Sequence, residues 1–237
     1  MGEWEIGAIP VFSHSPILPF PHSPFPPLNY PGDAMADRWR TIDDVRADAV
    51  VCRRCDLCYT RTHVVFGEGP APARLMIVGE GPGADEDEQG RPFVGRAGKL
   101  LDSLLSDAGI RREDTWIANT VRCRPVTKQG GRLQNRAPRA DEIKACNIWM
   151  AQEYKFVSPR FVVCLGAAPA QALISPGFRI GEGRGQWHEG RGGIPTTATY
   201  HPAYALRLRG EDRRVVEWRM LEDFRFVAGH LAASRAA

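Results

Sequence analysis

The sequence predicts an α/β fold of three layers, with helices on both faces of a central, mostly parallel four-stranded sheet. Two observations carry that expectation. Four short apolar, β-rich runs, at 75–78, 116–121, 161–165 and 196–200, alternate with stretches of helical periodicity. Strands separated by helices need crossover connections, which make neighbouring strands parallel and cover both faces of the sheet. The first three runs also end in polar or glycine-rich turns, and in such sheets ligands bind beyond the carboxyl ends of the strands.

Composition agrees with this class. The chain has 237 residues, 43% of them hydrophobic and 25% charged. Those values exclude disorder throughout, a collagen-like repeat and a coiled coil. No stretch approaches the roughly 18 consecutive apolar residues of a membrane-spanning helix, so a soluble protein with no membrane partner is expected. The 31 basic and 28 acidic residues leave a net charge of +3, too little to establish a polyanionic partner.

Residues 1–36 differ from the rest. Eight of the 19 prolines fall between Pro10 and Pro31, which forbids a regular helix or central strand and predicts a disordered, polyproline-like arm. The arm has no basic segment leading into an apolar core, so it does not read as a signal peptide. Met35 opens more ordinary sequence and is an alternative start. Residues 37–237 read as a single domain. In it the first apolar run leads into GEGPGADED at 79–87, and Leu100, Leu101, Leu104 and Leu105 make one stripe of a helix over 97–108. The second run carries Asn119, with Cys123 just beyond. A helix is expected over 140–154, and the last run leads into TYHPAYALR at 199–207. Polar groups thus converge on one edge of the sheet, as an active site requires and folding does not.

Each motif has two readings. GEGPG lacks the Lys-Ser/Thr of a P-loop and the spacing of a dinucleotide fingerprint, and the acidic residues Asp85 to Glu88 would repel a pyrophosphate. Its glycines would let a flat ligand lie against bare backbone, with Glu80 or Glu86 presented to it, or would simply make a tight turn. Phe93, in GRPFVG, is a stacking platform for a ring or a core anchor. Asn119 offers an amide donor and acceptor together, matching one edge of a pyrimidine, or forms a turn. His201 is held extended by Pro202 and is the histidine best placed for chemistry. Cys52-x-x-Cys55 is a metal half-site that Cys123 and Cys146 would have to close from a distance, which suits an iron–sulfur cluster at least as well as zinc. Cys58 adds a further candidate, and Cys164, inside an apolar run, reads as a small buried hydrophobe. Between Arg122 and Arg139 there are six basic residues and no acidic one, around Gly130 and Gly131. That composition predicts a mobile basic loop beside the cleft, either for phosphates or merely solvated.

The ordered set CRRCDLC, VVFGEG, GEGPGADEDEQGRPFVGRAG, IANTVRCRP, RAPRADEIKAC and TYHPAYALR resembles the type 4 uracil-DNA glycosylases that carry an iron–sulfur cluster, over roughly residues 51–231. The resemblance implies a uracil-DNA glycosylase-like fold and a structural [4Fe-4S] cluster on Cys52, Cys55, Cys123 and Cys146. It implies a uracil pocket made by Gly79, Glu80, Gly81, Pro82 and Gly83, with Phe93 stacking on the base and Asn119 reading its edge. His201 would donate a hydrogen bond to uracil O2 as negative charge develops there. Glu86 is expected on the sugar side, orienting water, with Glu80 shaping the pocket. Because the base must be flipped out of a stack, Arg124, Lys128, Arg132, Arg136 and Arg207 are expected on DNA, with Leu206 filling the gap.

One departure from the family pattern bears on mechanism. Residues 126–134 separate Pro125 from Asn135, where ordinary type 4 members run almost directly from one motif to the next. The longer segment is similar to that of covalent, suicide-type relatives, but no histidine lies between Arg122 and Pro159 and Asn135 occupies the comparable place. An amide is a poor nucleophile, so turnover is expected and trapping is not. The implied protein is a monomeric, monofunctional DNA-repair enzyme of the cytoplasm and nucleoid, acting on single- or double-stranded DNA containing uracil. A covalent trap or a non-catalytic uracil-DNA-binding relative is the alternative.

Overall fold

The computed structural model describes residues 38–236; the proline-rich arm and Met35 lie outside them. The four expected strands are present as β1 (Leu75–Gly79), β2 (Thr115–Asn119), β5 (Phe161–Leu165) and β7 (Pro195–Thr199). They stand in the order β2-β1-β5-β7, every pair parallel, with Ile77 opposite Ile117 and Val163, and Val163 opposite Thr197. A fifth strand, β6 (His188–Glu189), extends the sheet beyond β7 and runs antiparallel to it. The strand count therefore exceeds the expected four. Two half-buried polar residues give no apolar alternation from which β6 could be read.

Alternation along the strands builds two apolar layers, because successive side chains point to opposite faces. Met76, Val78, Trp116, Ala118, Val162 and Cys164 face one way and pack with α1 (Ile42–Ala49), α4 (Ala140–Val157), α5 (Ala167–Leu173) and α6 (Ile180–Gly183). Leu75, Ile77, Ile117, Phe161, Val163 and Leu165 face the other way, toward α3 (Arg96–Asp107) and α8 (Gly210–Ala236). In α3 the stripe expected from the sequence is observed: Leu101, Leu104 and Leu105 are buried, and Leu100 packs beside them. The α1 helix is closed by a capping box in which Thr41 and Asp44 bond each other's backbone N–H. No helix among the described residues is long and apolar enough to cross a membrane.

Two segments differ from expectation. The acidic run folds as α2 (Ala84–Gln89), which turns Glu86 inward and buries Asp87 against the Thr62 N–H at 2.9 Å. The basic segment is a hairpin, with β3 (Val126–Gln129) antiparallel to β4 (Arg132–Asn135). Gly130 and Gly131 both take positive φ, +56° and +78°, the backbone of a two-residue hairpin turn that side chains resist.

Candidate active site

The carboxyl ends of β1, β2 and β7 open into one cavity of about 480 Å³, lined among others by Glu80, Phe93, Asn119 and His201. Its floor depends on Gly79, where a Cβ would lie 2.5 Å from both the Asn119 amide oxygen and the Phe93 ring. A side chain there would displace both groups. Phe93 sits at φ +54°, in a left-handed conformation that aims its ring into the cavity wall, 6.0 Å from the His201 ring and tilted by 31°. Asn119 is 2% exposed, yet its Oδ1 has no hydrogen-bond partner. A buried amide acceptor without a donor is costly, and a ligand N–H in the cavity would relieve it.

The histidine is fixed from behind. His201 precedes α7 (Pro202–Ala205), and its Nδ1 accepts the Ala203 N–H at 3.1 Å. An accepting Nδ1 leaves the proton of the neutral ring on Nε2. Burial, assisted by the Arg207 guanidinium, pushes the His201 pKa down to about 4, so the ring is neutral at physiological pH and offers one N–H donor. The strand beneath is anchored by Thr199, which donates to Asp223 Oδ2 at 2.6 Å, while Arg184 holds the same carboxylate through both of its oxygens.

The two candidate carboxylates have different surroundings. Glu86 Oε2 accepts the Gly83 N–H at 3.0 Å, and Oε1 accepts those of Val94 and Gly95 at 3.0 and 2.9 Å. Both oxygens are thus engaged in tying the first turn to the Phe93 loop. Glu80 also lines the cavity; burial raises its pKa and Arg207 opposes the rise. The sequence leads to Glu86 as the water-orienting carboxylate and to Glu80 as the pocket residue; both line the cavity, and of the two it is Glu86 that is committed to backbone hydrogen bonds.

The cavity mouth has two walls. On one side His201, Ala203 and Arg207 follow β7; on the other Pro125, Asn135, Arg136 and Ala137 form the hairpin root after β2. Arg207 is exposed and lies over the Tyr204 ring, whereas Leu206 is half-buried at the end of α7. Arg124 donates to Asn135 Oδ1 at 2.7 Å, and Arg136 is bound bidentately to Glu142. Arg96, at the start of α3, lines the cavity and was missed by the sequence reading. Its place after Gly95, before an apolar stripe, was the available signal. Arg122, counted there with the basic loop, is 1% exposed and paired with the equally buried Glu153.

The family model of the uracil DNA glycosylase superfamily matches residues 66–225. The chain belongs to that superfamily. It is 42% identical to the type-4 uracil-DNA glycosylase of Thermotoga maritima over 167 residues, covering 70% of this chain and 83% of that one. Identity to the type-4 enzyme of Pyrobaculum aerophilum is also 42%, over 68% of this chain and 83% of the relative. The type-5 uracil-DNA glycosylase of Pyrobaculum aerophilum is 30% identical over 57% of this chain. These relatives place the chain on the type-4 side of the superfamily, as its motifs suggested.

In this superfamily member none of the six cysteines is among the residues lining the cavity. Cys52, Cys55, Cys123 and Cys146 line one small pocket together with Arg54, Arg61 and Trp149. Three N–H groups already point at their sulfurs: Arg61 Nη1 to Cys123 at 3.2 Å, the Arg122 backbone to Cys146 at 3.3 Å and Trp149 Nε1 to Cys52 at 3.4 Å. Burial pushes the Cys123 and Cys146 thiols up to about 11 and about 12, so as free side chains they stay protonated. Among the described residues no three His, Cys, Asp or Glu side chains are gathered as one metal ion would require. An iron–sulfur cluster spreads its thiolates around several irons, and N–H donors to sulfur are a usual part of its surroundings. The donor set fits such a cluster. Cys58 is half-buried outside this pocket, and Cys164 lies wholly buried in β5.

Proposed function

We propose that this protein is a monofunctional uracil-DNA glycosylase that hydrolyses the N-glycosidic bond of deoxyuridine in DNA, releasing uracil and leaving an abasic site. The observation that carries the reading is the unsatisfied Asn119 Oδ1, buried beside the Phe93 ring and a neutral His201 in the cavity. Uracil N3–H supplies the missing donor, the Asn119 amide N–H₂ meets O4, and the ring lies against Phe93. His201 Nε2–H donates to O2, where charge accumulates as the C1′–N1 bond breaks. Water adds to C1′ and gives up a proton, and the uracil anion takes up a proton from solvent.

Glu80 is the carboxylate proposed to face the sugar, stabilising positive character at C1′ and orienting the water, while Glu86 positions the Phe93 loop. Arg207, Lys128 and Arg132, with Arg124 and Arg136 nearer the hairpin root, are proposed to meet the backbone phosphates, and Leu206 to replace the flipped base. Cys52, Cys55, Cys123 and Cys146 would hold a [4Fe-4S] cluster, whose contribution when bound is to cross-link the segments around Asn119. A monomer working at the nucleoid is the corresponding cellular reading.

The test is a labelled oligonucleotide with one uracil, incubated with the protein and resolved with and without hot alkali. Strand breakage only after alkali is the expected result. A heat-stable adduct would instead mean trapping, and an intact but bound strand a binding protein. In the same assay Glu80→Gln should lower the rate about 10² fold or more. Glu86→Gln should leave the chemistry nearer to wild type and lower thermal stability, since an amide cannot accept all three backbone bonds equally well. The opposite ordering of the two variants would return the water to Glu86.

A further inference from the structure

The β3–β4 hairpin carries an exposed apolar residue, Leu133, that the reading above does not use. Seven of its eight strand residues are exposed, and only Val126 is half-buried. Its root is fixed where Arg136 binds Glu142 and donates from Nε to the Val126 carbonyl, so the tip projects from a rigid base. Across the ladder Val126 faces Asn135 and Lys128 faces Leu133, and pairs two apart along a ladder share a face. Asn135 lines the cavity. The face carrying Lys128 and Leu133 therefore continues the cavity wall outward, with Leu133 about 7 Å beyond Asn135 at the rise of an extended strand. Leu133 is 47% exposed, on a segment with no acidic residue from Arg122 to Arg139. Among the described residues no ion pair engages Lys128 or Arg132.

We propose that this hairpin is a second DNA-engaging arm, in which Leu133 stacks against the base next to the extracted uracil while Lys128, on the same face, and Arg132, on the opposite face beside the turn, hold the phosphates on either side of the hairpin. The inference deepens the glycosylase reading and rests on it for the identity of the polymer. An apolar side chain about one nucleotide from the pocket opposes closure of the stack behind the departing base. Lys128 on that face and Arg132 on the other, neither of them in an ion pair among the described residues, give phosphate contacts without sequence readout. The hairpin acts from the β2 side of the cavity and α7 from the β7 side, so a strand entering the mouth is held on both flanks.

Three proteins are compared: the wild type, Leu133→Ala, and Lys128→Ala with Arg132→Ala together. All three side chains are exposed, so the variants should fold normally, as circular dichroism and melting would verify. DNA binding is measured against salt, and 2-aminopurine placed beside the uracil reports unstacking. The double variant should flatten the log Kd against log salt slope by about 2, one for each lost phosphate contact. Leu133→Ala should keep the slope, lose most of the 2-aminopurine signal and slow excision from duplex about tenfold, with less than a twofold change on a single strand. Unchanged slopes and unchanged 2-aminopurine signals would overturn the proposal. A wild type that binds and unstacks through the hairpin yet excises nothing would instead overturn the glycosylase reading and leave the arm standing.

Discussion

Replacing His201 with alanine is expected to lower the rate of uracil release by about 10²–10³ fold with little change in substrate affinity, the loss found when one preorganised donor to a developing oxyanion is removed. The size follows from where the group acts. A neutral imidazole makes an ordinary hydrogen bond to uracil O2 in the ground state and a stronger one as charge gathers there, so its loss falls on kcat. The pH dependence is a second signature. With a folded pKa of about 4, His201 stays a neutral donor from alkaline pH down to about 5. Wild-type activity should therefore show no loss near pH 6.5, where an ordinary histidine titrates. Because the unfolded state takes up the proton first, stability contributed by this residue is lost as pH falls from about 6.5 through about 4. Single-turnover rates between pH 5 and 9 check the assignment. A wild-type rate that falls as pH rises through about 6.5, and no longer does so in His201→Ala, would mean that the residue works as a cation, and the derived role would be wrong.

The parts of this structure legible in the sequence are those written in local patterning. β1, β2 and β5 are largely apolar runs buried on both faces, β7 is a buried run rich in β-branched threonine, and α3 carries its stripe in four leucines. Asn119 and His201 could be placed at one edge of the sheet because each follows from strand position and the rule for parallel sheets. What remained hidden depends on partners distant in the chain. Glu86 reads in the sequence as the water-orienting carboxylate; the spacing from Gly83 to Glu86 is that of the glutamate half of a capping box, a local signal passed over, but its bonds to Val94 and Gly95 are not local. The strands of the hairpin are polar, so its pairing is carried almost entirely by Gly130 and Gly131. Arg122 reads as one more cation of a basic segment until Glu153, 31 residues away, is seen against it.

That buried pair supports the other large prediction. Arg122 Nη2 binds Glu153, whose other oxygen accepts the Gly67 N–H at 3.2 Å. Arg122 Nη1 donates to the Asn119 carbonyl at 2.6 Å, so one guanidinium joins the core to the base-reading residue, while the backbone beside it meets Cys146. Arg122→Met should cost about 3–5 kcal/mol of stability, because Glu153 is left as an uncompensated charge in a dry interior. Arg122→Met with Glu153→Met should recover most of that loss, since replacing both members of a buried pair by apolar groups is often nearly neutral. Excision should not recover with stability, because the double variant still lacks the donor that holds the Asn119 carbonyl. Denaturant unfolding and single-turnover rates on the same preparations separate the two effects. If single and double variants are equally unstable, the charge of Glu153 is not what Arg122 compensates. If the double variant regains full activity, Asn119 is held by its strand alone and the guanidinium contributes nothing to reading the base.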